Sequence, residues 1–454
     1  MLRHRTISNV TLAALAASLA ISCSRKEASS PAPAAAPAAD NVAAVNGLAE
    51  RYVKLALAFG RHDKDYVDAY YGPAAWKTAA DAGEPRPLAE IRSEAEALRK
   101  EIDAIPPVSD EMPERRRQSL SASLRALGAR AAVVGGEKLT FEEESRLIYD
   151  TVAPRHPEEH FRALVSELDK RLPGSGEVSA RLEKFRKAYV IPKDKVDAVF
   201  QRAIAEARER TRRHIPLPED ERFTLEYVRD KTWSGYNWYQ GNHASLIQIN
   251  TDLPIYIDRA LDLACHEGYP GHHVYNLLAE KELSRGRGWV EYTLMPLFSA
   301  RAIVAEGSGN YGIDVAFPGA ERAAFERDVL FPMAGLDPKS AEAYAKVREV
   351  TQKLSFAGNE AARRYLDGEI DAKTAADWLT RYALMEPARA AQRVRFMDQY
   401  RSYVINYNWG EELVRRFIES RGGTAEKPEE RWKQFTWLLT RPILPSELGP
   451  GVRP

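Results

Sequence analysis

The chain reads as a mainly α protein with one small β-sheet, and three observations give that class. Apolar residues recur at helical spacing among charged ones from Val45 to about His214. Between Pro216 and Pro254 the period falls to two, and after Glu306 the helical period returns. With 454 residues, 44% of them hydrophobic, the chain can bury a large core in one or two domains.

Residues 1–23 place Arg3, His4 and Arg5 before an apolar stretch, Val10 to Ile21, that is too short to span a bilayer. The stretch ends Leu19-Ala20-Ile21-Ser22-Cys23, which resembles a bacterial lipoprotein cleavage site with Cys23 as the lipidated residue. An ordinary signal peptide is the competing reading. Ser24 and Arg25 follow, with no aspartate, so the expected location is the cell envelope, anchored in the outer membrane and facing the periplasm. Lipidation of Cys23 would leave Cys265 as the only other thiol and exclude an intrachain disulfide. Residues 24–45 read as a disordered Pro/Ala tether.

Residues 46–215 are expected to form a helical domain, most clearly at Arg92 to Ile105 and Asp194 to Arg213. Arg115-Arg116-Arg117 reads as a solvated helix face. Residues 216–454 form the second region. It opens on three strand-like runs, Phe223–Val228, Tyr236–Tyr239 and Ala244–Asn250, bounded by Ser234-Gly235 and Gly241-Asn242. Ala244–Asn250 is expected to be an edge strand able to pair with an extended peptide. Farther on, Leu354–Tyr365 and Ala375–Arg395 are the strongest helical segments, after a stop near Leu336-Asp337-Pro338. Lysine plus arginine equals aspartate plus glutamate at 65 each, so nothing in the charge balance points to nucleic acid.

The chemistry concentrates at His266-Glu267-Gly268-Tyr269-Pro270-Gly271-His272-His273. It looks like a stretched His-Glu-x-x-His motif, in which two histidines one turn apart bind zinc and the glutamate serves as base. The apolar stripe Ile257, Leu261, Ala264 and Cys265 makes the lead-in a helix, and Pro270 must kink it. In an unbroken helix His272 would point about 240° away from His266, and His273 would lie ~10 Å farther along the axis. A bulge absorbing two residues would return His272 to the place of a ligand. His266 and His272 are therefore the preferred pair, with His273 as the alternative. Glu267 is the expected general base. The competing reading is a kinked core helix with hydrogen-bonded histidines.

Zinc needs a third protein ligand. Glu306 ends the apolar helical run Phe298, Ala302, Ile303, Ala305, where a carboxylate is costly to bury unless paired or metal-bound. Asn310 is a candidate partner for a ligand histidine. Arg395, Arg401, Tyr403 and Tyr407 form a candidate lid, in which a tyrosine hydroxyl or an arginine would stabilise an oxyanion. Ordinary packing competes with that role.

These residues resemble a bacterial domain-of-unknown-function family, often lipid-anchored, whose signature is His-Glu-x-x-Pro-Gly-His followed downstream by Glu-Gly. The matching positions are His266, Glu267, Pro270, Gly271, His272 and Glu306-Gly307; Tyr403, Tyr407 and Gly410 match its Tyr-and-Gly motif more loosely. The likeness spans most of the chain after residue 46, including His62-Asp63 and Tyr66 to Pro73. One departure is Ser308, where the family often has tryptophan. The resemblance implies a zincin-like metallopeptidase architecture, a metal site on the kinked helix and Zn2+ held by His266, His272 and Glu306. The expected activity is hydrolysis of a peptide substrate, with Glu267, Tyr403 and Tyr407 as catalytic residues and the membrane as partner through Cys23. An ester or non-peptide amide hydrolase, and a non-catalytic surface lipoprotein that binds metal or peptide, stay open.

Overall fold

The computed structural model describes residues 37–449 apart from Thr232. The signal segment, Cys23 and residues 24–36 lie outside the described residues. The expected tether is corrected at its end, because a helix spans Pro37–Phe59. Its alanine-rich start favours helix, and Val45, Leu48 and Tyr52 carry the apolar face into the core.

That helix packs with Leu88–Asp103 and Glu111–Val134 around Val53, Leu57, Ile91, Leu98, Leu124 and Leu127. Asp110 caps the last of these by accepting from the Met112 N–H. Arg116, expected on a solvated face, is instead buried and paired with Glu291 at 2.6 Å. Consecutive helical residues lie about 100° apart, so one of three neighbouring arginines had to turn inward. One apolar cluster continues from Val45 to Leu448 and joins both sides of residue 216. Among the described residues, no helix is long and apolar enough to cross a membrane.

Two small sheets interrupt the helices. β1 (Val67–Tyr70) pairs antiparallel with β5 (Leu294–Pro296). β2 (Arg222–Val228), β3 (Gly235–Gly241) and β4 (Ala244–Asn250) form the second, in the order β2-β4-β3. Ala244–Asn250 is therefore the central strand, which corrects the edge assignment. Asn242 and His243, both with positive φ, make a two-residue turn that pairs β3 antiparallel to β4. β2 then adds in parallel on β4's other side. The buried Ala244, Ser245, Ile247 and Ile249 suit a strand covered on both edges.

A second correction falls at Ala375–Arg395. Leu384, at φ 53°, and Pro387 split it into helices Ala372–Tyr382 and Pro387–Tyr400. The helices that frame the site are Ala300–Ala316 and Ile405–Ser420, which pack along their lengths. They meet at Gly307 and Gly410. A Cβ on Gly307 would lie 2.3 Å from the Gly410 carbonyl oxygen, and one on Gly410 would lie 2.7 Å from that of Ile303. Only glycine admits this approach.

Candidate metal centre

The histidine motif lies on an interrupted helix. A regular segment, Ile257–Leu263, widens into a π-turn over Ala264–Gly268. Tyr269 is then extended, at φ −120° and ψ 116°, and the Tyr269–Pro270 peptide is cis. The Gly271 N–H reaches back to the Cys265 carbonyl at 2.9 Å, six residues earlier, before the helix His272–Leu278 begins. A Cβ on Gly271 would sit 1.9 Å from the His266 carbonyl oxygen, so the return needs glycine there. By this route the His272 ring comes edge-on to the His266 ring, with centroids 4.5 Å apart.

Glu306 meets both rings from the helix Ala300–Ala316, whose first turn Ser299 caps. Its Oε2 lies 3.4 Å from His266 Nε2 and 3.8 Å from His272 Nε2. The three donor atoms lie within 4.8 Å of one another. Oε2 is buried without a hydrogen-bond partner among the described residues, although the side chains are 12–17% exposed and so reach solvent. Oε1 accepts from the Tyr403 hydroxyl at 2.7 Å. Tetrahedral zinc at ordinary bond lengths separates its donors by roughly 3.3 Å, so the observed spacings fit such an ion. The donor set, two imidazole nitrogens and a carboxylate oxygen, fits as well.

Burial opposes charge on His266, yet the close approach of the Glu306 carboxylate, with Glu267, pushes its imidazolium up to about 9. His272 falls to about 4, through burial and repulsion from His266. Burial also opposes charge on Glu306, but His266, His272 and Tyr403 hold it below the ordinary carboxylate range. The pocket thus stabilises one positive charge against Glu306, where a metal cation would supply more. Glu267, next to it, is pushed up to about 7, first by burial and then by Glu306 and Asp68, against the pull of His266. Its backbone carbonyl accepts from Asn237 Nδ2 at 2.7 Å, and Gly235 of β3 passes beside its carboxylate.

His273, the alternative ligand, faces the other way. It is fully buried, with Nδ1 2.8 Å from Ser245 Oγ and Nε2 3.1 Å from Glu221 Oε2. Asn310 does not hold a ligand histidine; its Nδ2 donates to the Tyr407 carbonyl at 2.8 Å. Gly309, not Asn310, lies beside His266 Nδ1, and that nitrogen is buried without a partner among the described residues. Tyr403 is spent on Glu306, whereas no hydrogen bond engages the Tyr407 hydroxyl among the described residues. Burial and Glu306 push both phenols well above the ordinary value, so both stay protonated. Arg401 pairs with Glu144 and Arg395 is exposed, so neither serves the lid. The Ser308 hydroxyl donates to the Ala305 carbonyl of its own helix. Cys265 is a buried free thiol packed in the core.

Sequence reasoning missed Asp68 and Tyr236. Tyr236 of β3 donates to Asp68 of β1. Burial, reinforced by Glu306 and partly offset by Tyr236, pushes Asp68 up to about 6. Asp68 lies in the stretch Tyr66 to Pro73 that shares the family likeness, but nothing in its spacing marks it as facing a site 200 residues away.

No family model and no curated protein matches the chain. Among solved structures the chain is similar to a candidate lipoprotein from Colwellia psychrerythraea. It has a TM-score of 0.51 at 11% identity over 80% of this chain and 68% of that one. The two chains share a fold. Two further structures match with lower scores. A candidate lipoprotein of unknown function from Shewanella oneidensis has a TM-score of 0.39 at 12% identity over 77% and 72% of the two chains. A protein named BsuCP has a TM-score of 0.44 at 11% identity over 89% of each.

Proposed function

We propose that this protein is a zinc-dependent hydrolase of peptide bonds with a zincin-like arrangement, anchored to the cell envelope through lipid at Cys23. The observation that carries the reading is the convergence of His266 Nε2, His272 Nε2 and a buried Glu306 Oε2, without a partner among the described residues, beside a second carboxylate, Glu267. A purely structural site has no use for Glu267. The lipoprotein description of the Colwellia structure supports the anchor, as does the sequence around Cys23.

His266, His272 and Glu306 would hold the ion, and bound zinc would supply a Lewis acid that polarises a carbonyl and acidifies water. Tyr403 fixes the Glu306 carboxylate by donating to Oε1, which leaves Oε2 turned toward the histidines. Glu267 takes a proton from water at one oxygen and returns it to the departing nitrogen, a task suited to a carboxyl raised toward neutrality. The Tyr407 hydroxyl, protonated at any working pH, donates to negative charge growing on the carbonyl oxygen.

The test is metal content by mass spectrometry on the chain lacking residues 1–23, followed by hydrolysis of a peptide library. Wild type should hold about one zinc per chain and cut peptides, whereas His272→Ala should lose the zinc. Glu267→Gln should keep the zinc and lose kcat by roughly 100- to 10,000-fold. Zinc without hydrolysis, and with full function in Glu267→Gln, would instead identify a metal-binding surface lipoprotein.

A further inference from the structure

Several buried arginines of this chain end on a carboxylate. Arg116 pairs with Glu291, Arg130 with Asp63, Arg322 with Asp262 and Glu326, and Arg363 with Glu360. Arg301 instead donates to the Glu291 and Leu294 carbonyls, and the half-buried Arg393, on the helix Pro387–Tyr400, meets neither a carboxylate nor a carbonyl among the described residues. Among the described residues, Tyr407 is the only titratable group that bears on its charge, and burial pulls its guanidinium below the ordinary range. The guanidinium carbon lies 4.4 Å from the Phe396 ring centroid and 6.0 Å from that of Tyr407. Stacking on Phe396 fixes the guanidinium and leaves N–H donors free for an acceptor with two oxygens. A half-buried guanidinium held on an aromatic face, with no carboxylate of its own among the described residues, is available to an anion from outside the chain.

Position gives that partner a role. The Tyr407 ring, 6.0 Å from the Arg393 guanidinium, lies 5.7 Å from the Tyr403 ring, whose hydroxyl donates to Glu306, so this tyrosine pair links the arginine to the metal centre. Asn310, one turn beyond Glu306, grips the Tyr407 carbonyl and keeps that phenol in register with the centre. Asp68, Glu267 and Glu306 make the site acidic, and Arg259, which also bears on Glu267, is paired with Asp262, so Arg393 is a cation left for an anion.

We propose that Arg393 is a substrate-binding residue that holds a carboxylate of the peptide beside the metal centre, an assignment that rests on the peptide-hydrolase reading above. The carboxylate comes either from the peptide's own C-terminus or from an aspartate or glutamate side chain. In both cases the guanidinium accepts it as a paired, two-oxygen contact, and the scissile carbonyl is positioned between that anchor and Glu267.

The experiment uses acetylated tetrapeptide libraries as free acids and as C-terminal amides, each with and without aspartate and glutamate. Binding is measured on zinc-loaded Glu267→Gln protein, and cleavage on wild type. Carboxylate-bearing peptides should bind on the order of 10- to 100-fold tighter than those with none. Preference for free acids lacking acidic side chains assigns the C-terminus; preference for acidic amides assigns a side chain. Arg393→Gln should collapse the ratio toward one, Arg393→Lys should restore part of it, and Arg395→Gln on the same helix should keep it. Thermal melts check that each variant is folded. Cleavage with no carboxylate preference overturns this proposal and leaves the hydrolase reading standing. Arg393-dependent binding without cleavage sustains the proposal and removes the hydrolase. Binding of no library to folded, zinc-loaded protein overturns both.

Discussion

His272 and His273 are neighbours in sequence and occupy opposite kinds of environment. His273 enters a closed network in which Ser245, Glu221, Tyr269 and Arg208 satisfy one another. Burial would raise Glu221, but His273, Tyr269 and Arg208 hold its carboxyl below the ordinary range. His272 enters an open group, where its neighbours His266 and Glu306 each keep a buried polar atom with no partner among the described residues. A closed polar network holds a fold together, whereas an open one leaves valence for something added. The same residue types, a histidine and a glutamate, thus close a network on one face of the segment and leave one open on the other.

The largest effect should come from breaking the closed side. His273→Ala leaves Glu221 short of a partner and opens a cavity against Phe223, and should lower unfolding stability by about 3 kcal/mol. Urea denaturation measures it, and zinc stoichiometry should remain about one per folded chain. His272→Ala should do the reverse, with zinc lost and the metal-free stability little changed. If His273→Ala lost the metal at full stability, the two roles would have to be exchanged.

A smaller effect sharpens the comparison from the Glu306 side. Gly307→Ala places a methyl group against the Gly410 carbonyl and should cost about 1–3 kcal/mol while loosening Glu306. Zinc affinity should fall together with stability, measured by chelator competition. A stable variant with unaltered zinc affinity would show that the helix crossing does not set the ligand's position.

The smallest effect is a pH dependence. The folded chain raises Asp68 from 3.8 to about 6, so between these values it binds more protons than the unfolded chain. The stability Asp68 contributes is therefore full below pH 3.8 and is lost as pH rises through 6. In the metal-free protein, Asp68→Asn should gain on wild type by on the order of 1 kcal/mol between pH 4 and pH 7, after allowance for partial exposure. Parallel stability curves for the two would place Asp68 in water rather than facing the acidic centre.

Much of this was legible in the chain. The three strand runs were marked by alternation and by Gly-Asn punctuation, and the motif helix by its apolar stripe. What stayed hidden was set by long-range pairing. Whether Ala244–Asn250 is edge or centre depends on β2, which joins it across a parallel register that no local signal encodes. Arg393 and Arg395 differ by 200° of helix phase, and only the packed helix shows which one turns toward Tyr407. The roles of His272 and His273 hinged on how many residues the break after Gly268 absorbs. Spacing alone left that choice open.

The crossing of Gly307 and Gly410 leaves no side chain between two helices, one bearing Glu306 and the other Tyr407. Such a joint behaves as a gauge block. Insertion of a single residue between Tyr407 and Gly410 would turn the phenol by about 100° relative to the joint, while substitutions on the outer faces leave the spacing untouched. Divergence can therefore rewrite the exposed face of Ile405–Ser420, at Arg416, Glu419 and Ser420, provided this one contact keeps its thickness.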